Sequence, residues 1–203
     1  MMQRCLLPIL TLLLLSGCVH RGSLTPPQNV VEHQRQLQAI SDWQLTGKLG
    51  IRTADDSGSA SLKWAQQTAN YQINLSGPLG QKSMIITGTP EKVRLEQTGE
   101  PAQEAKTAEA LIKKSAGWTL PVAQLAYWVR GVPALKLPIT HLQQNENGLL
   151  DQLTQGGWHI IYSNYRDQTF NGTTLPLPGK IIAEYQDVRL TLVIRNWQLG
   201  AAQ

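Results

Sequence analysis

The sequence predicts a mainly β fold with α-helices, in which one curved antiparallel sheet can coil into an incomplete β-barrel with helices over its apolar face. A helical cover that fits imperfectly, or that can move, leaves a hydrophobic cavity beneath it. Short segments along most of the chain alternate apolar and polar residues, as strands with one buried face do. Tight turns separate these segments, and they favour antiparallel pairing because parallel pairing needs long crossovers. A stretch rich in Ala and Leu in the middle of the chain has helical spacing instead.

The first predicted element is an amphipathic helix, because Val30, Val31, Leu37 and Ile40 recur at spacings near three and four. Strand segments follow it, and each carries apolar residues on one face. They read WQLTGKLGIR, SASLKWA, NYQINLS, KSMIITG and EKVRLEQ. This succession predicts an antiparallel meander.

The middle of the chain predicts two helices. Thr107 can cap the first of them and Gly117 can end it. The second is predicted from Pro121 to Val129, with Gly131 beyond its end. Strands then return as GWHIIYSNY, KIIAEYQD and VRLTLVIRNW, and QTFNGTTLPLPG between them is predicted to be a loop.

The start of the chain predicts a lipoprotein precursor. Residues 1–17 have the short apolar core of a secretory signal peptide, too short to span a bilayer. Leu15-Ser16-Gly17-Cys18 matches a lipobox, in which the cysteine is diacylated, the signal is cleaved, and the new amine is acylated. Residues 18–28 are then a lipidated flexible tether and residues 29–203 a single domain. An ordinary signal peptide with a chance cysteine is the alternative.

Composition narrows the remaining classes of function. Cys5 leaves with the signal and Cys18 carries lipid, so no disulfide is expected and stability has to come from an apolar core. The formal net charge is +4 with Lys and Arg scattered, which gives nucleic-acid binding little support. A weak attraction to anionic lipid head groups is compatible with this charge.

The sequence predicts neither an enzyme nor a metal site. It carries no nucleophile elbow, Walker loop, HExxH or dinucleotide fingerprint, and its four histidines are scattered. Asp55-Asp56 is followed by Ser57-Gly58 and is interpreted as a hairpin turn. No cofactor is expected beyond the covalent lipid on Cys18.

Six tryptophans stand against one phenylalanine, and most lie at apolar positions of predicted elements. Core filling explains each tryptophan by itself, since the ring buries a large area. Alternatively, some of them line a cavity that suits a sliding acyl chain. The candidate cavity residues are Trp64, Trp128, Trp158 and Leu125.

The turn SGPLGQK carries a leucine where a polar residue is expected. Pro78 favours the second position of a type I turn and Gly80 the fourth, which leaves Leu79 at the third position, pointing outward. A leucine that folds back onto its own hairpin is the alternative.

Taken in order, LSGC, LKWAQQTANYQINLSGPLG, LPVAQLAYWVRGVP, GGWHIIYSNY and RLTLVIRNW resemble the LolB family of outer-membrane lipoprotein receptors. The resemblance implies an incomplete β-barrel whose cavity accepts acylated lipoproteins from the periplasmic carrier LolA. It also implies insertion of that cargo among outer membrane lipids, with Pro78, Leu79 and Gly80 as the membrane-insertion turn, although Gly77 replaces the family's Asn. A lipid-anchored monomer at the outer membrane, facing the periplasm, is expected. The alternative is a structural scaffold lipoprotein of an outer-membrane assembly complex.

Overall fold

A computed structural model describes residues 24–77 and 83–200. Its helices span Val30–Ala39 (α1), Ala108–Ala116 (α2) and Val122–Trp128 (α3). Its strands span Asp42–Arg52 (β1), Ser57–Gln67 (β2), Asn70–Ser76 (β3), Ser83–Gly88 (β4), Val93–Gln97 (β5), Gln103–Ala105 (β6), Ile139–Gln144 (β7), Leu150–Gln155 (β8), Trp158–Ser163 (β9), Arg166–Phe170 (β10), Thr173–Leu177 (β11), Lys180–Tyr185 (β12) and Val188–Leu199 (β13).

One 11-stranded sheet dominates the described part of the chain, in the order β6-β5-β4-β3-β2-β1-β13-β12-β9-β8-β7. Every pair of neighbours is antiparallel. The two outer strands, β6 and β7, stand at opposite ends of this order, so the sheet does not close on itself. The predicted mainly β fold, with a large unclosed antiparallel sheet, is confirmed.

A bulge near the middle of the longest strand pair contributes to the curvature. The register between β1 and β13 shifts between Thr46 and Gly47, and such bulges bend a strand and increase its twist. A Cβ added at Gly47 would lie 2.1 Å from the carbonyl oxygen of Val193. Only glycine allows the two backbones to approach this closely.

The predicted helices are confirmed, together with their ends. The side chain of Thr107 accepts a hydrogen bond from the Ala110 N–H, and Gly117 ends α2 in the left-handed region with φ 79°. Pro121 precedes the first residue of α3. The buried face of α1 differs from the prediction, because Val31 is 79% exposed. His33 and Leu37 are its buried residues.

The predicted loop before the last strands is a β-hairpin, so that prediction is wrong. β10 and β11 pair around Asn171 and Gly172, both of which have positive φ, as hairpin turns with Asn-Gly require. Short β6, and the edge pair β7 and β8, were also not predicted. All six residues of β7, His141 among them, are exposed, so burial imposes no alternation there.

The core lies between the helices and the face of the sheet that they cover. Buried residues on this face include Trp43 and Leu45 of β1, and Leu190 and Leu192 of β13. Leu111 and Ile112 of α2 and Leu125 of α3 belong to the same cluster. The helices therefore form a cover over the apolar face of the sheet.

Candidate functional site

A small apolar cavity lies between the sheet and the helical cover. Strands β1, β2, β3, β12 and β13 form its floor, and Leu120 and Leu125 from the helical region close it. The other lining residues are Leu49, Leu62, Trp64, Ile73, Leu75, Ile181, Ala183, Leu190 and Leu192. Every residue in the lining is apolar, so the space is suited to hydrocarbon and not to water.

The volume of this cavity is small, about 30 Å³. For comparison, an apolar cavity that binds benzene has a volume of roughly 150 Å³. The cavity as described is therefore too small to hold an acyl chain.

A much larger groove adjoins the cavity, with a volume of about 620 Å³. Leu49 and Leu75 line both spaces. The groove is bounded by the β1–β2 turn, the β12–β13 turn and the end of α2, with Lys113, Gly117 and Trp118 at its wall. We call this space the mouth groove, since Leu49 and Leu75 place it directly beside the apolar cavity.

The mouth groove mixes charged and aromatic groups. The carboxylates in its lining are those of Asp55, Asp56 and Asp187, and Lys113 is the cation in the same lining. Trp118 and Tyr185 supply flat apolar surface beside them. The predicted hairpin turn at Asp55-Asp56 is confirmed, since the Thr53 N–H donates to the Asp56 carbonyl at 2.8 Å.

The connection between β3 and β4 leaves the sheet at the same end as the mouth groove. Ser76 pairs with Ser83 across these strands and with Ser61 on β2, which places both ends of the connection near the groove. Leu75, next to this connection, lines the groove. Pro78, Leu79 and Gly80, like Cys18 and the predicted signal peptide, lie outside the described residues.

The four candidate cavity residues separate into two pairs. Trp64 and Leu125 line the apolar cavity. Trp128 and Trp158 lie outside the linings of the cavity and the mouth groove, and their ring centroids are 6.2 Å apart. Trp158 also stacks on Tyr185 at 5.4 Å, so it supports a wall of the groove from behind.

A buried amide fixes the end of α3. The Trp128 Nε1–H donates to Gln155 Oε1 at 2.9 Å, and the Ala134 N–H donates to the same oxygen at 2.8 Å. Gln155 Nε2 donates to the carbonyls of Ala134 and Leu137. Sequence reasoning missed Gln155, because a glutamine beside Gly156 has the pattern of an exposed turn.

A buried guanidinium holds the same end of α3 to α1. Arg130 is 5% exposed and donates to the carbonyls of Leu37 and Ile40 at 2.9 and 2.5 Å. Burial lowers the pKa of Arg130 to about 10, so it stays charged at neutral pH. The carbonyls at the end of α1 stabilise this charge. The last turn of α3 is thus anchored twice, whereas its start follows the connection at the mouth groove.

The described part of the chain was compared with the requirements of a metal site and of a membrane-spanning helix. In residues 24–77 and 83–200, no group of three or more His, Cys, Asp or Glu side chains is placed to hold a metal ion. None of the helices in that part of the chain has both the length and the apolar content to cross a bilayer.

Comparison with solved structures shows a similar fold. A LolA superfamily protein from Nitrosomonas europaea aligns with a TM-score of 0.50 at 10% sequence identity, covering 89% of this chain and 96% of its own. At this identity the likeness concerns the fold alone.

Comparison at the level of sequence is more specific. Residues 41–197 match the family model described as outer membrane lipoprotein LolB. The outer-membrane lipoprotein LolB of Cellvibrio japonicus is 60% identical over 196 residues, covering 97% of each chain. The protein of that name from Nitrosococcus oceani is 39% identical over 197 residues, covering 95% of this chain and 96% of its own. The chain therefore belongs to the LolB family of outer membrane lipoproteins.

Proposed function

We propose that this chain accepts acylated lipoproteins from the periplasmic carrier LolA, holds their acyl chains in the apolar cavity, and inserts them into the outer membrane. The observation that carries the proposal is an all-apolar cavity beside a groove that shares Leu49 and Leu75 with it, at the end of the sheet where the β3–β4 connection leaves. Lipid on Cys18 would anchor the chain, as a monomer facing the periplasm.

The energetics of acyl chains explain why such a container is needed. Each methylene group removed from water contributes about 0.8 kcal/mol, so a triacylated protein does not leave a membrane for solution unaided. A cavity that releases its cargo to the bilayer has to bind less tightly than the bilayer does. The proposal assigns no catalytic step to the chain, because transfer towards a better apolar environment runs downhill.

Opening of the helical cover is part of the proposal. Because Trp128 and Arg130 make side-chain hydrogen bonds at the end of α3, we expect opening to begin at the start of α3. Leu120 and Leu125 would then leave the cavity as acyl chains enter. The acyl chains of the cargo would then fill the space that Leu120, Leu125 and Trp64 line.

The experiment uses the full chain with Cys18→Ala, which carries no lipid, and a fluorescent fatty acyl probe. We expect saturable binding, and displacement of the probe by an acylated lipoprotein. Absence of probe binding would overturn the proposal. Transfer of a labelled lipoprotein from LolA to the lipidated chain in outer-membrane vesicles tests the later steps.

The scaffold alternative also has an observation in its favour. β7 lies at the edge of the sheet and exposes Ile139 and Leu142, with no charged side chain in its sequence ITHLQQ. Such an edge can pair with another protein. Recovery of a stable stoichiometric complex from the outer membrane, combined with no acyl binding, would favour this alternative.

A further inference from the structure

The mouth groove differs from the apolar cavity in both size and chemistry. Its volume is about 620 Å³ against about 30 Å³, and its lining includes carboxylates and hydroxyl groups. Because Leu49 and Leu75 line both spaces, a ligand with its apolar part in the cavity places the adjoining atoms in the groove. The groove is therefore positioned to receive the polar part of an amphiphile.

The charged side chains of the mouth groove determine which polar groups it can bind well. Asp55, Asp56 and Asp187 are exposed carboxylates in its lining, and Lys113 is the cation beside them. A phospholipid head group would bring an anionic phosphate into this field. The acylated amine of a lipoprotein carries no charge, so the charge of its polar part is that of the residues after the cysteine.

We propose that the mouth groove binds the peptide segment directly after the acylated cysteine of the cargo, and that it favours basic over acidic residues there. The inference rests on the proposed function, since it needs acyl chains in the adjoining cavity. An all-apolar cavity cannot discriminate between peptide segments of different charge, so this selectivity would come from the groove.

The aromatic residues of the groove fit such a segment. Trp118 is half-buried in the connection between α2 and α3, and Tyr185 is supported from behind by its stack on Trp158. Lysine and arginine lay their aliphatic stems along apolar surface while their charged ends reach polar groups. The groove offers both kinds of surface within one space.

The solvent exposure of the three carboxylates limits how strongly the groove can prefer a basic segment over an acidic one. All three carboxylates are exposed, and exposed ion pairs are individually weak and screened by salt. Together they should produce about a tenfold preference for a basic over an acidic segment at low ionic strength. Most of that preference should disappear at about 0.5 M salt.

The test uses three synthetic lipopeptides with the same triacylated cysteine, followed by a run of lysines, serines or glutamates. Each displaces a fluorescent fatty acid from the full chain with Cys18→Ala. We expect the affinity to fall in the order lysine, serine, glutamate. The double variant Asp55→Asn with Asp187→Asn should lose most of this order. Asp56 is left unchanged because its carboxylate accepts the Ser57 N–H at 2.7 Å.

Glu146→Gln is the matched control, because Glu146 is an exposed carboxylate in the β7–β8 turn, at the other end of the sheet. It should keep the full preference. Equal affinities of the three lipopeptides for the unsubstituted groove would overturn this inference and leave the proposed function standing. If none of them displaces the fatty acid, the proposed function fails and the inference fails with it.

Discussion

Trp128 and Gln155 are joined by a 2.9 Å hydrogen bond from the indole Nε1–H to the amide Oε1, which ties the last residue of α3 to the last residue of β8. Both side chains are fully buried. A neutral amide in a dry interior is stable only while its partners are present. This contact holds the end of α3 against the end of β8.

Removal of that amide should therefore destabilise the domain. Gln155→Ala leaves the Trp128 indole and the backbone of Ala134 without partners, so we expect the free energy of unfolding to fall by about 3 kcal/mol. Urea denaturation followed by tryptophan fluorescence measures it. Gln152→Ala, on the opposite face of β8, should cost less than about 1 kcal/mol. Equal losses would contradict the anchoring role of Gln155.

Filling the cavity should block acyl binding without unfolding the domain. Ala183 is buried and lines the cavity, so Ala183→Leu places extra volume where acyl chains would lie, at a cost of about 1–3 kcal/mol. We expect at least a tenfold loss of affinity for a fatty acyl probe. Ala65→Leu on β2 is the control, since Ala65 is half-buried outside the cavity lining. Undiminished binding by Ala183→Leu would place the acyl site elsewhere.

The turn leucine should matter for delivery and not for acceptance. Leu79→Glu replaces a side chain whose insertion into lipid contributes about 1.5–3 kcal/mol. The variant should fold and accept lipoprotein from LolA, yet fail to deliver it to vesicles. Val31→Glu is a control, because Val31 is 79% exposed on α1, whose start lies by the β7–β8 turn. Normal delivery by Leu79→Glu would remove the turn from the mechanism.

A side chain at Gly47, the glycine of the bulge, should destabilise the domain. A Cβ at Gly47 would lie 2.1 Å from the Val193 carbonyl oxygen, whereas one at Gly58 meets nothing within 4 Å. Gly47→Ala should therefore lower the free energy of unfolding by about 3 kcal/mol, and Gly58→Ala should change it little. Thermal unfolding of the two variants side by side makes the comparison. Similar midpoints would show that the two strands can separate at no cost.

Low pH should reduce the free energy of unfolding of the domain, partly through protonation of His33. Burial lowers the pKa of His33 below its ordinary value of 6.5, so the unfolded chain takes up a proton more readily than the folded one. The contribution of His33 to stability is complete above about pH 6.5 and is lost as the pH falls through the lower folded pKa. His33→Leu should reduce the fall in unfolding free energy between about pH 7 and pH 5. Parallel curves for the two proteins would contradict this.

The strands and helices that the pattern predicted well are those with one buried face or a clear cap. β13 alternates Leu190, Leu192 and Ile194 inward, and Thr107 and Gly117 begin and end α2. β7 was missed because both of its faces are exposed, and β10–β11 because Pro176 and the Asn-Gly turn resemble a loop.

Local patterns in the chain were sufficient for the antiparallel fold, its helical insertion and the apolar face of its strands. They depend on side chains two to four residues apart, whose periodicity is written in order along the chain. The width of the cavity and the make-up of its mouth depend instead on contacts between distant segments. Trp64 and Leu125 line the cavity, whereas Trp128 bonds to Gln155 outside it. The two tryptophans and Leu125 are nevertheless all apolar positions in the sequence. Packing in three dimensions is what separates a residue that lines a hollow from one that supports its wall.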